Sequence, residues 1–292
     1  MSTSSSPASR YALRTICHSA PGQVAAIAAW IEPHGGYVEE FAVHDHRSTG
    51  RFFLRTVFRR EGTSPADMPL LREDLRRLTP SIQALHWQLH DLAKPPRVLL
   101  MVSKLDHCLL DLLGSWKRGE MPMRPVAVVP NHDVLSLIAQ THGLPFHHLP
   151  VTSATKPAQE PWLMELVDEL RADYMVLARY MQVLSDDACT KLEGRVINIH
   201  HGFLPAFKGA RPYHQAYERG VKLIGATAHF ATPDLHEGPI IAQATEHVDH
   251  AQGPQDLLDV GRRVDCAVLS RALRIVLEHR GFINGQRTVV LR

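Results

Sequence analysis

The 292-residue chain has no Cys-x-x-Cys pair. Its four cysteines, Cys17, Cys108, Cys189 and Cys266, are scattered, which argues against a disulfide framework or a thiolate zinc site and reads as reduced, mostly buried thiols. It has almost no net charge, with 32 Lys and Arg against 30 Asp and Glu, and no basic block interleaved with aromatics. Nothing therefore asks for nucleic acid or an anionic membrane, and the expected partner is a small molecule. No apolar run is long enough to span a bilayer, and Met1 to Arg10 is rich in Ser without the apolar core of a signal peptide. The segment 1–10 reads as a disordered tail and the compartment as the cytoplasm. There is no Gly-x-Gly-x-x-Gly after a strand, no Gly-x-x-x-x-Gly-Lys-Ser/Thr and no Gly-x-Ser-x-Gly. Dinucleotide, nucleoside-triphosphate and serine-hydrolase chemistries thus lack their usual signatures.

What is present is a chain long enough for two domains, with an ordinary apolar fraction of 45% and an excess of histidine, nineteen in all. Tyr11 to Cys17 reads as a strand. Val24, Ile27, Ala28 and Ile31 recur at helical spacing until Gly35-Gly36, and Tyr37 to Val43 and Arg51 to Phe58 form a hairpin. A helix over Pro69 to Leu78 and a strand over Ile82 to Leu89 complete the split βαβ plan, a small sheet with helices on one face. Lys94-Pro-Pro96 is a natural linker, so the expected boundaries are 11–92, a linker at 93–96, and 97–292.

Beyond the linker the pattern changes. Arg97 to Val102, Pro125 to Val129, Tyr174 to Ala178 and Arg195 to Ile199 are short and apolar on both faces, with helical segments at His107 to Trp116, Val134 to His142 and Glu160 to Arg171 between them. That alternation predicts an α/β domain with a mostly parallel sheet covered on both sides. Ile224 to Phe230 and Pro239 to Gln243 add two strands, joined by the loop Ala231 to Gly238, and a long last helix carries Leu257, Val260, Val264, Val268, Ala272 and Ile275 as one apolar stripe.

The stretch Asn198-Ile-His-His-Gly-Phe-Leu-Pro-Ala-Phe-Lys-Gly209 ends one of these runs and becomes a loop marked by Gly and Pro. Asn198 and His200 share one side of a period-two strand, at the sheet edge where open α/β folds bind ligands. An amide donor beside a group that titrates near neutrality suits a carbonyl oxygen that becomes negative while a leaving nitrogen is protonated.

Asn198-Ile-His-His-x-Phe-Leu-Pro205, Phe207-Lys-Gly209, Pro212-Tyr-His-Gln-Ala-Tyr217, Gly225-Ala-Thr-Ala-His-Phe230 and Glu237-Gly-Pro-Ile-Ile-Ala-Gln243 together resemble formyltetrahydrofolate deformylase. So do Ser103-Lys-Leu-Asp-His-Cys108, Pro145-Phe-His-His-Leu-Pro150, Leu177-Ala-Arg-Tyr-Met-Gln-Val-Leu-Ser185 and Asn284-Gly-Gln-Arg-Thr288. The resemblance spans nearly the whole chain. It implies an N-terminal ACT-like domain, a Rossmann-like formyltransferase domain, a homo-oligomer, and a hydrolase of one-carbon metabolism and purine biosynthesis. The implied reaction is hydrolysis of 10-formyltetrahydrofolate to tetrahydrofolate and formate without a tightly bound cofactor. Asn198 would hold the formyl oxygen and His200 would protonate the folate nitrogen. Gln182, Val183 and Leu184, with Thr232 and His229, would hold the folate.

Three positions depart from the family pattern. The third catalytic residue of the family is an Asp, and His236 stands there, in Leu235-His236-Glu237-Gly238. A neutral imidazole can take a proton near neutral pH, so His236 is read as the water's base in place of that Asp, with Asp234 and Glu237 as the nearest carboxylates. Gly202 replaces a Ser, and Ser19-Ala20 replace an Asp-Arg pair in the ACT turn, which points to assembly rather than amino-acid binding. Two alternatives stand beside hydrolysis: transfer of the formyl group to a small amine, and folate binding with little turnover. His200, His229 and His236 face one cleft in the family fold, but no metal is expected there.

Overall fold

Alternation sets the first strand, β1 (Ser9–His18), whose Tyr11, Leu13, Thr15 and Cys17 are buried along one side. The structure is a computed structural model that describes residues 9–60, 67–152, 155–205 and 212–292, divided into two compact units. Ser9 and Arg10, read from the sequence as the end of a disordered tail, are the first residues of β1; the rest of that tail lies outside the described residues.

The first unit continues with α1 (Gln23–Ile31), β2 (Gly36–His46), β3 (Arg51–Arg60), α2 (Met68–Leu78) and β4 (Ala84–Asp91). Its four strands pair antiparallel in the order β2-β3-β1-β4, the split βαβ arrangement read from the element order. α2 starts at Asp67, whose carboxylate accepts from the Leu70 N–H at 3.2 Å. Ile27, Trp30 and Ile31 of α1 and Leu71 and Leu75 of α2 close over Tyr11, Leu13, Leu54, Phe58 and Leu89. Each such side chain contributes about 1.5–3 kcal/mol by leaving water.

The opposite face of this sheet is covered by the C-terminal end of the chain, which the sequence reading had assigned to the second domain. His279–Phe282 and Val289–Arg292 belong to the first unit. Phe282 packs edge-on against Phe53 with centroids 5.6 Å apart, and the Arg14 guanidinium lies 4.3 Å over its ring and donates to the Gly281 carbonyl at 2.6 Å. The imidazoles of His90 and His279 stack at 3.6 Å and 8°. These C-terminal residues form part of a hairpin of the last two described strands, β11 (Gly281–Asn284) and β12 (Arg287–Val290).

The second unit holds Pro96–Glu278 and Ile283–Thr288. In chain order it has β5 (Arg97–Val102), α3 (His107–Lys117), β6 (Arg124–Pro130), α4 (Ser136–Thr141), α5 (Lys156–Glu169), β7 (Tyr174–Ala178) and α6 (Asp186–Lys191). Then follow β8 (Val196–His200), α7 (Pro212–Glu218), β9 (Leu223–Phe230), β10 (Ile240–His247) and α8 (Pro254–Leu277). The six strands lie in the order β10-β9-β8-β7-β5-β6. β6, β5, β7 and β8 pair parallel, and β9 and β10 add an antiparallel edge. The interiors of β5, β6 and β7 are apolar because both their faces are buried.

The expected helix over Val134 to His142 is a 3-10 turn at Asp133–Leu135 followed by α4, and α5 starts at Lys156 rather than Glu160. The stripe expected on α8 is buried from Leu257 to Ile275, but Asp265 on the same face is only 1% exposed, so this helix buries a carboxylate as well as its apolar residues.

Candidate active site

The antiparallel register of β8 and β9 sets Asn198 opposite His229 and His200 opposite Thr227. Directly opposed residues project from the same face, and Asn198 Nδ2 lies 3.1 Å from His229 Nε2. His229 Nδ1 is 2.8 Å from the Phe230 carbonyl, an obligate acceptor, so Nδ1 carries the ring proton and Nε2 presents its lone pair to the Asn198 amide. That bond fixes which end of Asn198 is the donor and leaves its second Nδ2 hydrogen for another acceptor. His229 is 3% exposed. Burial pushes its imidazole down, the bond to Phe230 acts upward, and the His236 charge again lowers it, so the ring is held neutral.

His200, the last residue of β8, is buried at 3% exposure. The loop beyond it is anchored by Thr227, whose hydroxyl donates to the Gly202 carbonyl at 3.0 Å and accepts from the Leu204 N–H at 3.0 Å and from Gln243 Nε2 at 2.9 Å. Thr227 and Gln243 fall within the motifs that resemble the family but were given no role in the sequence reading. Two inward polar residues on neighbouring strands were the available signal. Phe207-Lys-Gly209 lies outside the described residues.

His236 sits in the loop between β9 and β10 with φ at 63°, a left-handed conformation that non-glycine residues adopt sparingly. The loop is held by Thr232, whose hydroxyl donates to the Asp234 carbonyl at 3.0 Å, and by the Glu237 N–H, which donates to the same carbonyl at 3.1 Å. Gly238 is required just beyond, since a Cβ there would strike the Phe230 carbonyl oxygen. In this arrangement the His236 ring centroid lies 4.2 Å from that of His200 and 6.4 Å from that of His229. The structure therefore brings Asn198, His200, His229 and His236 together. Asp234 and Glu237 are both exposed, and Thr232 spends its hydroxyl on its own loop.

Gln182, Val183 and Leu184 line an open cleft together with Leu149, Leu163 and Tyr180. Met181 N–H donates to Ser103 Oγ at 3.0 Å and Ser185 N–H to Glu160 Oε1 at 2.6 Å, so both ends of this segment are tethered. Next to it, Arg179 follows β7 in a left-handed conformation with φ at 61°. Its Nε lies 3.7 Å from Asp265 Oδ2, His107 Nε2 is 3.5 Å from the same oxygen, and the Tyr213 hydroxyl donates to Asp265 Oδ1 at 3.3 Å. Burial and then the Asp265 carboxylate hold the Tyr213 phenol well up. Gly261 permits this approach, because a Cβ on it would collide with the Tyr213 ring. The His201 imidazole, 5.4 Å from that of His200 and 6.2 Å from Tyr213, is pushed down to about 3 by burial first and then by Arg179, His200 and His236. Arg179 and Asp265 were missed as site-flanking residues. Among the described residues no three of His, Cys, Asp or Glu gather as a metal-ligand set.

Residues 96–273 match the formyl transferase family. The chain is 45% identical to a formyltetrahydrofolate deformylase of Corynebacterium sp. (strain P-1), over 97% of this chain and 98% of that one. It superposes on a formyltetrahydrofolate deformylase from Burkholderia mallei ATCC 23344 with a TM-score of 0.91 and 48% identity, covering 97% of this chain and 100% of that one. A glycinamide ribonucleotide transformylase from Symbiobacterium toebii matches with a TM-score of 0.64 and 30% identity, over 68% of this chain and 95% of that one.

Proposed function

The chain belongs to the formyltetrahydrofolate deformylase family, and we propose that it hydrolyses 10-formyltetrahydrofolate to tetrahydrofolate and formate with Asn198, His200 and His236 as its catalytic side chains. The observation that carries the assignment of roles is the contact of His200 with His236 at 4.2 Å, beside an Asn198 amide oriented by His229. Water adds to the formyl carbon as neutral His236 takes its proton, the work the family gives to an Asp. The second Nδ2 hydrogen of Asn198 meets the oxygen as charge develops on it. The C–N bond then breaks as His200 delivers a proton to the folate nitrogen, and formic acid leaves as formate. His229 positions Asn198. Gln182, Val183 and Leu184 hold the pterin in the cleft they line.

The first unit is read as an ACT-like module that assembles a homo-oligomer of a cytoplasmic enzyme supplying one-carbon units for purine biosynthesis. Supporting assembly over amino-acid binding, Ser19 Oγ is committed to Asp45 at 2.6 Å and the Ala20 N–H points to Gln23 Oε1 at 3.3 Å, so the turn presents no ion pair.

A second reading, transfer of the formyl group to a small amine, is favoured by the fold match to the transformylase over the catalytic unit. Quantifying formate and tetrahydrofolate from pure protein and 10-formyltetrahydrofolate, with and without added amines, decides. Stoichiometric formate without an amine supports hydrolysis. Turnover that needs the amine overturns it.

A further inference from the structure

We propose that Glu160 is a substrate-recognition residue, whose carboxylate accepts hydrogen bonds from the 2-amino group and the N3–H of the pterin. The inference rests on the proposed reading of the cleft lined by Gln182, Val183 and Leu184 as the folate site. It adds which end of the folate enters that cleft and what fixes it there.

Among the side chains that line the cleft, Glu160 alone carries a charge. The Tyr180 phenol is pushed up to about 12 by burial and then by the Glu160 carboxylate, so it stays neutral. Gln159 donates from Nε2 to the Pro150 carbonyl and to Thr155 Oγ1, the latter at 3.0 Å. A carbonyl can only accept, so the Gln159 nitrogen is the end turned to Pro150 and its donors are spent there. Glu160 lies on α5, and its Oε1 accepts from the Ser185 N–H at 2.6 Å, a charge-assisted bond. Ser185 is itself fixed as the N-cap of α6, its Oγ accepting from the Ala188 N–H at 3.2 Å. The carboxylate is thereby tied to the residue that follows Leu184 before any ligand arrives. Among the described residues its Oε2 has no hydrogen-bond partner.

A fixed acceptor pair on the wall of a largely apolar cleft selects a flat ligand with two adjacent donors. The 2-amino-4-oxo pteridine ring has that edge, since its 2-amino group and N3–H lie side by side like two N–H groups of a guanidinium and match the two oxygens of a carboxylate. Oε1 keeps a second lone pair after the bond to Ser185, so both oxygens can accept. The other end of the folate carries glutamyl carboxylates, which the same negative charge repels. The pterin therefore enters the cleft and the glutamyl end stays outside it.

The test compares tetrahydrofolate with an analogue in which a methyl group replaces the 2-amino group, by anaerobic calorimetric titration of the full-length protein. The parent binds the analogue about tenfold or more weaker, the loss expected when a hydrogen bond to a charged group is removed. Glu160→Gln keeps an oxygen for the Ser185 N–H but turns an amide NH2 toward the pterin donors. In that variant tetrahydrofolate binds about tenfold or more weaker than in the parent, and the two ligands bind within about twofold of each other. A parent protein that binds the analogue as tightly as tetrahydrofolate overturns the proposal without any variant. So does a folded Glu160→Gln that keeps the parent's preference for the 2-amino group. Val183→Arg separates these failures from a failure of the cleft reading, because Val183 is half-exposed and a long side chain there obstructs the cleft without entering the core. Weakened tetrahydrofolate binding in Val183→Arg is expected. Unchanged binding would place the folate elsewhere and overturn the cleft reading together with the proposal, whereas weakened binding with either failure above overturns the role of Glu160 alone.

Discussion

The imidazoles of His200 and His236 lie with their centroids 4.2 Å apart and their planes inclined by 51°, one ending a parallel strand and the other on a left-handed loop residue. The proposed reaction needs an acid and a base side by side, one ring to protonate the leaving nitrogen and the other to take the proton of the water, and these two rings are in contact.

The first expectation concerns His236. Asn and Asp tolerate the left-handed backbone that His236 adopts at φ 63°, so both substitutions test chemistry rather than folding. His236→Asn, which offers no base, lowers kcat about 100-fold. His236→Asp keeps kcat within about tenfold of the parent and extends activity to lower pH, since a carboxylate stays ionised below the imidazole range of about 6.5. Formate release across pH 5–9 (roughly the histidine window) checks both. Unchanged turnover in His236→Asn would remove His236 from the mechanism.

Asn198 and His229 form the second. Asn198→Ala and His200→Ala lower kcat about 100-fold or more, as expected on losing an oxyanion donor or a general acid, with the melting transition retained. His229→Ala acts through Asn198 and lowers kcat about tenfold, with little change in KM. In Asn198→Ala/His229→Ala the two losses do not add, because the second group has nothing left to position. Additive losses would show that His229 acts independently of Asn198.

The third is an acid limit on stability. Burial, followed by Arg14 and Arg72, pushes His90 down to about 4, and burial, followed by His90, Arg14 and Arg55, pushes His279 down to about 2. An unfolded imidazole titrates near about 6.5. Above that value both rings are neutral folded and unfolded and cost nothing. Below it the unfolded chain binds protons the folded chain refuses, so stability falls as pH drops, by about 1.4 kcal/mol per pH unit for each ring. For His90 the loss runs from about 6.5 down to about 4. His90→Phe keeps an aromatic ring on an ordinary strand residue, whereas His279 has φ at 59° and does not lend itself to replacement by Phe. Urea unfolding of the parent and His90→Phe between pH 4 and 7.5 (bracketing the imidazole range of about 6.5) should show a shallower pH dependence in the variant. Parallel curves would mean that His90 titrates normally in the fold.

Much of this was legible in the sequence. The runs that became β5, β7 and β8 are apolar on both faces, and Asn198 and His200 could be set on one side of a strand end by period two alone. The pairing of Asn198 with His229 could not, since it depends on the register between β8 and β9. Asp265 was given no role in the sequence, and its burial makes sense only with Tyr213, Arg179 and His107 arriving from three other segments. The turn Asn284-Gly285 carried a hairpin signal that went unread, but no local pattern shows which sheet face its ends will cover.

The last expectation concerns metal. His200, His229 and His236 have the composition of a catalytic zinc site, and three imidazoles with an open position would activate water. The donor atoms argue otherwise. His229 Nδ1 is protonated toward the Phe230 carbonyl and its Nε2 lone pair is taken by the Asn198 amide, so this ring has no lone pair to give without breaking the bond that orients Asn198. Its centroid is also 6.4 Å from that of His236, while His200 and His236 stand at 4.2 Å and 51°. Two imidazoles alone make a weak site. Protein purified without a His-tag should carry less than about a tenth of an equivalent of any transition metal, since structural and catalytic zinc sites use three or four protein ligands. A chelator should leave formate release unchanged. A stoichiometric metal whose removal abolishes activity would show that His229 releases Asn198 to become a ligand, and Asn198→Ala would then raise metal affinity while leaving the His236→Asn variant unable to hold it.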